Sequence, residues 1–193
     1  MDRKRLVLPG VLATAAAVVA AVTLWPGQGD DTRERNLCWG SLTEKTAGLL
    51  DDGEAGRTAA DVRDAGSGEV VQDDRFFGTV CVVTREVSGG KTGQDQYALT
   101  AAAGDATTDA PEDATPIGGG HEGWLTLRQA VLRLPDDCVS AIGSDSRYGE
   151  LRLSVYPRVT VHEDWDAESV TAASRTILLE SAANLAERYD CAP

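Results

Sequence analysis

Along the chain, apolar and polar positions form one long uncharged block followed by several shorter periodic ones. From Leu6 to Trp25 no charged residue occurs; the run is Leu, Val and Ala with two Thr, one Pro and one Gly. A helix of that length spans about 30 Å, the thickness of a bilayer's hydrocarbon core. Arg3, Lys4 and Arg5 precede the run and Asp30 and Asp31 follow it. Basic flanks stay cytoplasmic, and Trp25 stands where an interfacial aromatic would stand. The block predicts a cytoplasmic tail over 1–5, a signal-anchor transmembrane helix over 6–25, a tether over 26–36 and an extracytoplasmic domain over 37–193. A cleavable signal has a shorter apolar core followed by small-x-small residues, and no clean Ala-x-Ala follows this run. Retention in the membrane is therefore expected, with secretion after cleavage as the alternative. The first cysteine, Cys38, follows Arg35, Asn36 and Leu37 instead of the apolar block, which disfavours lipidation.

Beyond the tether the periods shorten. Ser41 and Glu44 have capping-box spacing, and Leu42, Thr46, Leu49 and Leu50 share a helical face that Asp51-Asp52-Gly53 should end. Ala59, Val62 and Ala65 suggest a further short helix over 55–65. Phe76 to Val87 and Tyr97 to Ala103 are rich in strand formers on either side of a Gly-rich turn, which predicts an antiparallel hairpin. Residues 104–123 change to Gly, Asp, Ala, Thr and Pro and read as a loop. Trp124 to Leu134 reads as one strand ended by Pro135-Asp136-Asp137, and Glu150 to Val161 as another, bulged or at an edge because Pro157 lacks an N–H. Val170, Ala173, Ile177, Leu178, Ser181 and Leu185 recur at helical spacing after Asp164 or Asp166, either of which suits an N-cap. The order suggests α–β–β and β–β–α halves, about 37–103 and 124–193. The expected fold class is α+β, an antiparallel sheet of about four strands or more packed with helices.

Composition changes this picture in one respect. The 193 residues carry 18 basic and 31 acidic side chains, a net charge of -13. Residues 1–5 hold three of the basic groups and one acid, so the acidic excess belongs to the exported part. Such a surface repels phosphate backbones, which argues against nucleic-acid binding.

The four cysteines, Cys38, Cys81, Cys138 and Cys191, form no C-x-x-C pair, so zinc-ribbon and thioredoxin-like readings lack their spacing. In an oxidising compartment an even count implies bridges. Of three pairings, Cys38–Cys81 with Cys138–Cys191 is expected, because each closes a loop within one half of the chain.

The runs LCWGSLTE (37–44), GWLTLRQAVL (123–132), LPDDC (134–138) and LAERYDC (185–191) resemble exported, membrane-anchored proteins of high-GC actinobacteria, of the Streptomyces type. Fifteen Arg against three Lys agrees with such a genome. The resemblance implies an exported, disulfide-bonded protein and carries no activity.

Catalytic side chains are sparse. His121 follows three glycines, as in some esterase oxyanion strands, but the G-x-S-x-G elbow those enzymes need is absent. His162-Glu163-Asp164 lacks the second His of a zincin, since Asp166 stands there. The acidic pairs Asp51-Asp52, Asp73-Asp74, Glu112-Asp113, Asp136-Asp137 and Glu163-Asp164 read as solvated loops, and no calcium loop pattern occurs. Trp39 and Trp124 read as core residues, and Trp165 as core or as a part-exposed binding aromatic. No catalytic, cofactor or metal residue is assigned. The expectation is a membrane-tethered domain that binds a protein or cell-envelope component, the alternative being a carboxylate-dependent hydrolase outside the membrane.

Overall fold

A computed structural model describes residues 35–50, 56–71, 75–86, 93–104, 107–160 and 166–191. The expected transmembrane helix over 6–25, residues 26–34 of the expected tether, the acidic pairs at 51–52, 73–74 and 163–164, most of the 87–93 turn, His162 and Trp165 lie outside the described residues; the last two residues of the expected tether, Arg35 and Asn36, belong to the first strand instead. No helix among the described residues is long and apolar enough to cross a membrane.

Nine strands and four helical segments follow one another among the described residues. β1 (Arg35–Leu37) and β2 (Leu42–Thr43) form a small ladder; α1 (Glu44–Ala47) runs on into a 3₁₀ turn at Gly48–Leu50. Then come β3 (Arg57–Asp64), β4 (Thr79–Glu86), β5 (Gln94–Gly104), β6 (Thr115–Gly118), β7 (His121–Leu125) and β8 (Gln129–Leu134). α2 (Asp136–Ala141), β9 (Tyr148–Val155), α3 (Pro157–Thr160) and α4 (Ala167–Tyr189) complete the chain. β3 to β9 make one antiparallel sheet in the order β3-β4-β5-β9-β8-β7-β6. The last strand thus lies between β5 and β8, and both halves of the sequence share one sheet.

Strand alternation gives the sheet two faces. On the first, the cross-strand rows Val83–Tyr97–Val155, Cys81–Leu99–Leu153–Ala130 and Ala101–Leu151–Leu132 are buried. α4 covers this face with Val170, Ile177, Leu178, Ala182 and Leu185, all buried. Residues 38–50 fill the rest, contributing Leu42, Ala47 and Leu50 to the same core. The fold class is α+β, as expected, with seven strands in the main sheet.

Both expected disulfides form. Cys38–Cys81 ties the segment before β2 to β4 with a Cα separation of 5.3 Å, and Cys138–Cys191 ties α2 to the second residue after α4 at 5.0 Å. Cys38, Trp39 and Gly40 share positive φ (47°, 62° and 74°), a conformation that L side chains avoid. The Cys81 bridge and the Ser41 N–H to Cys38 carbonyl bond of 3.0 Å hold this turn.

Several boundaries differ from the sequence reading. Residues 57–64 are the edge strand β3, not a helix: pairing with β4 along its whole length outweighs the helical spacing of Ala59, Val62 and Ala65. Ser41 does not cap a helix; its hydroxyl donates to the Cys38 carbonyl at 2.7 Å, and Thr43 is the N-cap, accepting from the Thr46 amide at 3.1 Å. The 104–123 loop contains β6 and the start of β7. The strand expected over 124–134 is two strands around a turn in which Thr126 Oγ1 accepts from the Gln129 amide at 3.0 Å. Pro135-Asp136-Asp137 ends β8 as expected and then opens α2, where Pro135 occupies the N-cap. β9 stops at Val155 in the middle of the sheet, and Pro157 begins the one-turn α3, a place that tolerates a missing N–H. The element order is not α–β–β then β–β–α.

Candidate functional site

The second face of the sheet carries the more polar rows. Glu150 and Arg152 on β9 stand opposite Arg133 and Val131 on β8, and Val131 in turn faces Trp124 on β7. Across this corner runs the segment 107–114, and between it and the strands lies an open cleft of about 370 Å³ lined by Thr108, Pro116, Trp124, Val131, Arg133 and Glu150 among others.

Glu150 is a buried carboxylate, 3% exposed, and it accepts hydrogen bonds from Thr108 and Arg152. Oε1 accepts from the Thr108 amide at 2.6 Å; Oε2 accepts from the Thr108 hydroxyl at 2.7 Å and from Arg152 Nε at 3.1 Å. Arg152 Nη2 lies 3.1 Å from the same oxygen. A buried charge needs such partners, because water is not there to solvate it. The Trp124 indole N–H donates to the Thr108 carbonyl at 3.2 Å, which fixes the ring against the cleft wall.

Arg133 closes the near end. It pairs with Glu122 at 2.6 Å and with Asp136 at 3.0 Å, and its guanidinium lies 4.7 Å from the centre of the Tyr148 ring. The hydrogen bond that Arg133 donates to Glu122, and then the one it donates to Asp136, raise its already high pKa. Past Arg133 a second hollow of about 290 Å³ is lined by Gly120, His121, Glu122, Leu134, Pro135 and Asp136. Gly118, Gly119 and Gly120 all have positive φ (78°, 68° and 82°), so this tight turn depends on glycine.

His121 sits at the exposed start of β7, beside this second hollow. No serine or carboxylate hydrogen bond to it is found among the described residues. Trp39 is packed as expected beside the Cys38 bridge: its ring meets Phe76 edge-on at 4.9 Å and its N–H donates to Thr79 Oγ1 at 3.0 Å. Trp124 is also buried, but on the second face and next to the cleft. Asp136 serves Arg133, Asp137 accepts from the Cys138 amide at 3.0 Å, and Glu112 and Asp113 are exposed. Among the described residues no group of three or more His, Cys, Asp and Glu is placed to hold a metal ion.

Sequence reasoning passed over Glu150, Thr108 and Arg133. Glu150 and Arg133 lay in strands read for their apolar positions, and Thr108 in a stretch read as a loop. The available signal was a charged residue on an otherwise apolar strand, which implies a partner across the sheet. No known protein family, curated protein or solved structure matches this chain.

Proposed function

We propose that the chain is a membrane-tethered, extracytoplasmic, disulfide-stapled domain that binds a protein or cell-envelope component through the cleft on its second sheet face. The uncharged run Leu6–Trp25 with its basic flank supports the tether, and two bridges with no free cysteine among the described residues support an oxidising compartment. The observation that carries binding over catalysis is the state of the cleft's charged groups. Glu150 is saturated by Thr108 and Arg152, and Arg133 by Glu122 and Asp136. A hydrolase acid needs a carboxyl with a raised pKa facing a second one across room for substrate. Among the described residues, the carboxyls whose acidity shifts, Asp64 and Asp166, shift the other way, each held down first by a backbone N–H, from Ser67 and Ser169 respectively.

The test is a photo-crosslinking residue placed at Pro116, on the cleft rim, or at Leu127, an exposed apolar residue outside the cleft lining, in the full chain in its own envelope. An adduct from Pro116 that Leu127 does not give is the expected result. Identical adducts from both positions, or none from Pro116, would reject the cleft as the binding surface.

A further inference from the structure

The segment 107–114 is held to the sheet in an unusual way. Residues 107 and 109–113 are exposed, and among the described residues the hydrogen bonds to the sheet in this stretch all belong to Thr108. The remaining bond, from the Ala114 amide to the Pro111 carbonyl at 3.1 Å, lies within the segment itself. One residue therefore presents its N–H and its hydroxyl to the two oxygens of Glu150, and its carbonyl to the indole N–H of Trp124.

The two receiving groups belong to the sheet and do not depend on the segment for their placement. Arg152 grips Glu150 Oε2 through both Nε and Nη2, and Trp124 lies in β7, paired with Val131 of β8. Lifting Thr108 away would leave a preorganised pair, a carboxylate that takes two donors and an indole N–H that takes one acceptor, next to a cleft of about 370 Å³. It would also leave a buried carboxylate short of two donors, an unfavourable state that an incoming donor pair relieves.

From this arrangement we infer that residues 107–114 are an internal occupant of a peptide-binding site, which an extended Ser- or Thr-bearing segment of a partner protein displaces by offering the same N–H, hydroxyl and carbonyl. A Ser or Thr residue is the unit that supplies all three groups from adjacent atoms. The inference rests on the proposed binding role of the cleft and names the class of partner and the contact that keeps the site closed. The closed form lowers apparent affinity by the fraction of molecules that are open, so weakening the Thr108 latch raises affinity without altering the receptor groups.

The probe is a labelled, capped peptide with the sequence of residues 107–114, its three acids changed to the corresponding amides so that the acidic domain does not repel it. Binding to the full chain in detergent is read by fluorescence anisotropy. Thr108→Val, which removes the hydroxyl at nearly constant volume, is expected to bind this peptide about tenfold or more tightly than the wild type. Adding Glu150→Gln to that variant, or replacing the peptide's second Thr by Val, is expected to abolish the gain. Equal affinity of Thr108→Val and wild type, with disulfides and circular dichroism unchanged, overturns the inference. Amide exchange on the wild type is the second readout and needs no variant. The Thr108 amide should exchange far faster than those of Leu151 and Leu153, and exchange as slow as theirs would mean that the segment leaves only on global unfolding. A specific Pro116 crosslink alongside a failed peptide test would reject the displaceable segment while leaving the binding role of the cleft in place.

Discussion

Glu180, in the middle of α4, accepts from the backbone amide of Thr43, 137 residues earlier, at 3.1 Å. The same oxygen takes the Thr43 hydroxyl at 3.1 Å, and the other takes the hydroxyl of Thr46. The last helix thus holds the first one from outside, since Thr43 is the N-cap of α1. Asn184 and Arg188, one and two turns further on, donate to the carbonyls of Ser41 and Trp39. One polar row of α4 therefore docks residues 39–46, while its apolar row covers the sheet.

Replacing Glu180 by Ala should remove the charged end of this row and leave the Thr43 amide and two hydroxyls seeking water. Hydrogen bonds to a charged group contribute about 1.5–3 kcal/mol each, and these share one carboxylate, so a loss of about 2–3 kcal/mol is expected. Urea denaturation followed by circular dichroism gives the value. Glu180→Gln keeps acceptor capacity and should cost less. The buried Tyr97, whose hydroxyl donates to the Ala47 carbonyl at 3.1 Å, has its pKa raised by burial and then by the nearby Glu180, so it should show no phenolate absorbance before the protein unfolds in alkali.

Each disulfide should be separable by mass mapping under non-reducing conditions, linking the peptide of Cys38 to that of Cys81 and that of Cys138 to that of Cys191. Removing Cys138–Cys191 by a double Ser substitution frees the chain after α4. A loss of about 2–4 kcal/mol is expected, chiefly from the entropy the unfolded chain regains.

Gly123 faces Leu132 across β7 and β8 with φ of 153°. A Cβ there would lie 2.2 Å from the Val131 carbonyl oxygen, which is backbone and cannot swing aside. Gly123→Ala should destabilise by about 1–3 kcal/mol and loosen the cleft wall that carries Trp124. A lower urea midpoint together with a changed Trp fluorescence maximum would show both effects.

Asp166 caps α4, accepting from the Ser169 amide at 2.7 Å and hydroxyl at 3.2 Å, and these bonds lower its pKa in that order. A carboxyl whose folded pKa lies below its unfolded value stabilises the fold above the unfolded value, about 3.9. That contribution disappears as pH falls through the folded pKa. Asp166→Ala should therefore lower Tm at neutral pH, and the gap to wild type should close as the acid range is entered. Asp64, which accepts from the Ser67 and Gly66 amides at 2.9 and 3.0 Å, should behave in the same direction.

How far the sequence discloses this molecule depends on whether local and tertiary preferences agree. α4 is legible because Val170, Ile177, Leu178 and Leu185 keep a helical period and Asp166 supplies its cap. The β4–β5 hairpin is legible because Val and Thr on one arm and Tyr, Leu and Thr on the other flank a Gly-rich turn. β3 is hidden because six of the eight residues of Arg57–Asp64 are Arg, Ala or Asp, which favour helix or coil; its strand state comes from pairing with β4. β6 is hidden because Thr115-Pro-Ile-Gly118 offers a single buried side chain, Ile117. The cleft is hidden for a related reason: Thr108, Trp124 and Glu150 meet only once β9 has inserted between β5 and β8, and no local pattern encodes that insertion.

The central proposal is a folded domain displayed outside the membrane on an uncleaved N-terminal span. Its most direct test is protease shaving of intact cells that express the full chain with an epitope at each terminus. Cleavage ahead of β1, in residues 26–34, should shed the C-terminal epitope into the medium as a disulfide-bonded fragment, while the N-terminal epitope stays protected in the membrane fraction. Finding the C-terminal epitope in the medium before protease is added, or finding it protected until the cells are lysed, would contradict the proposal.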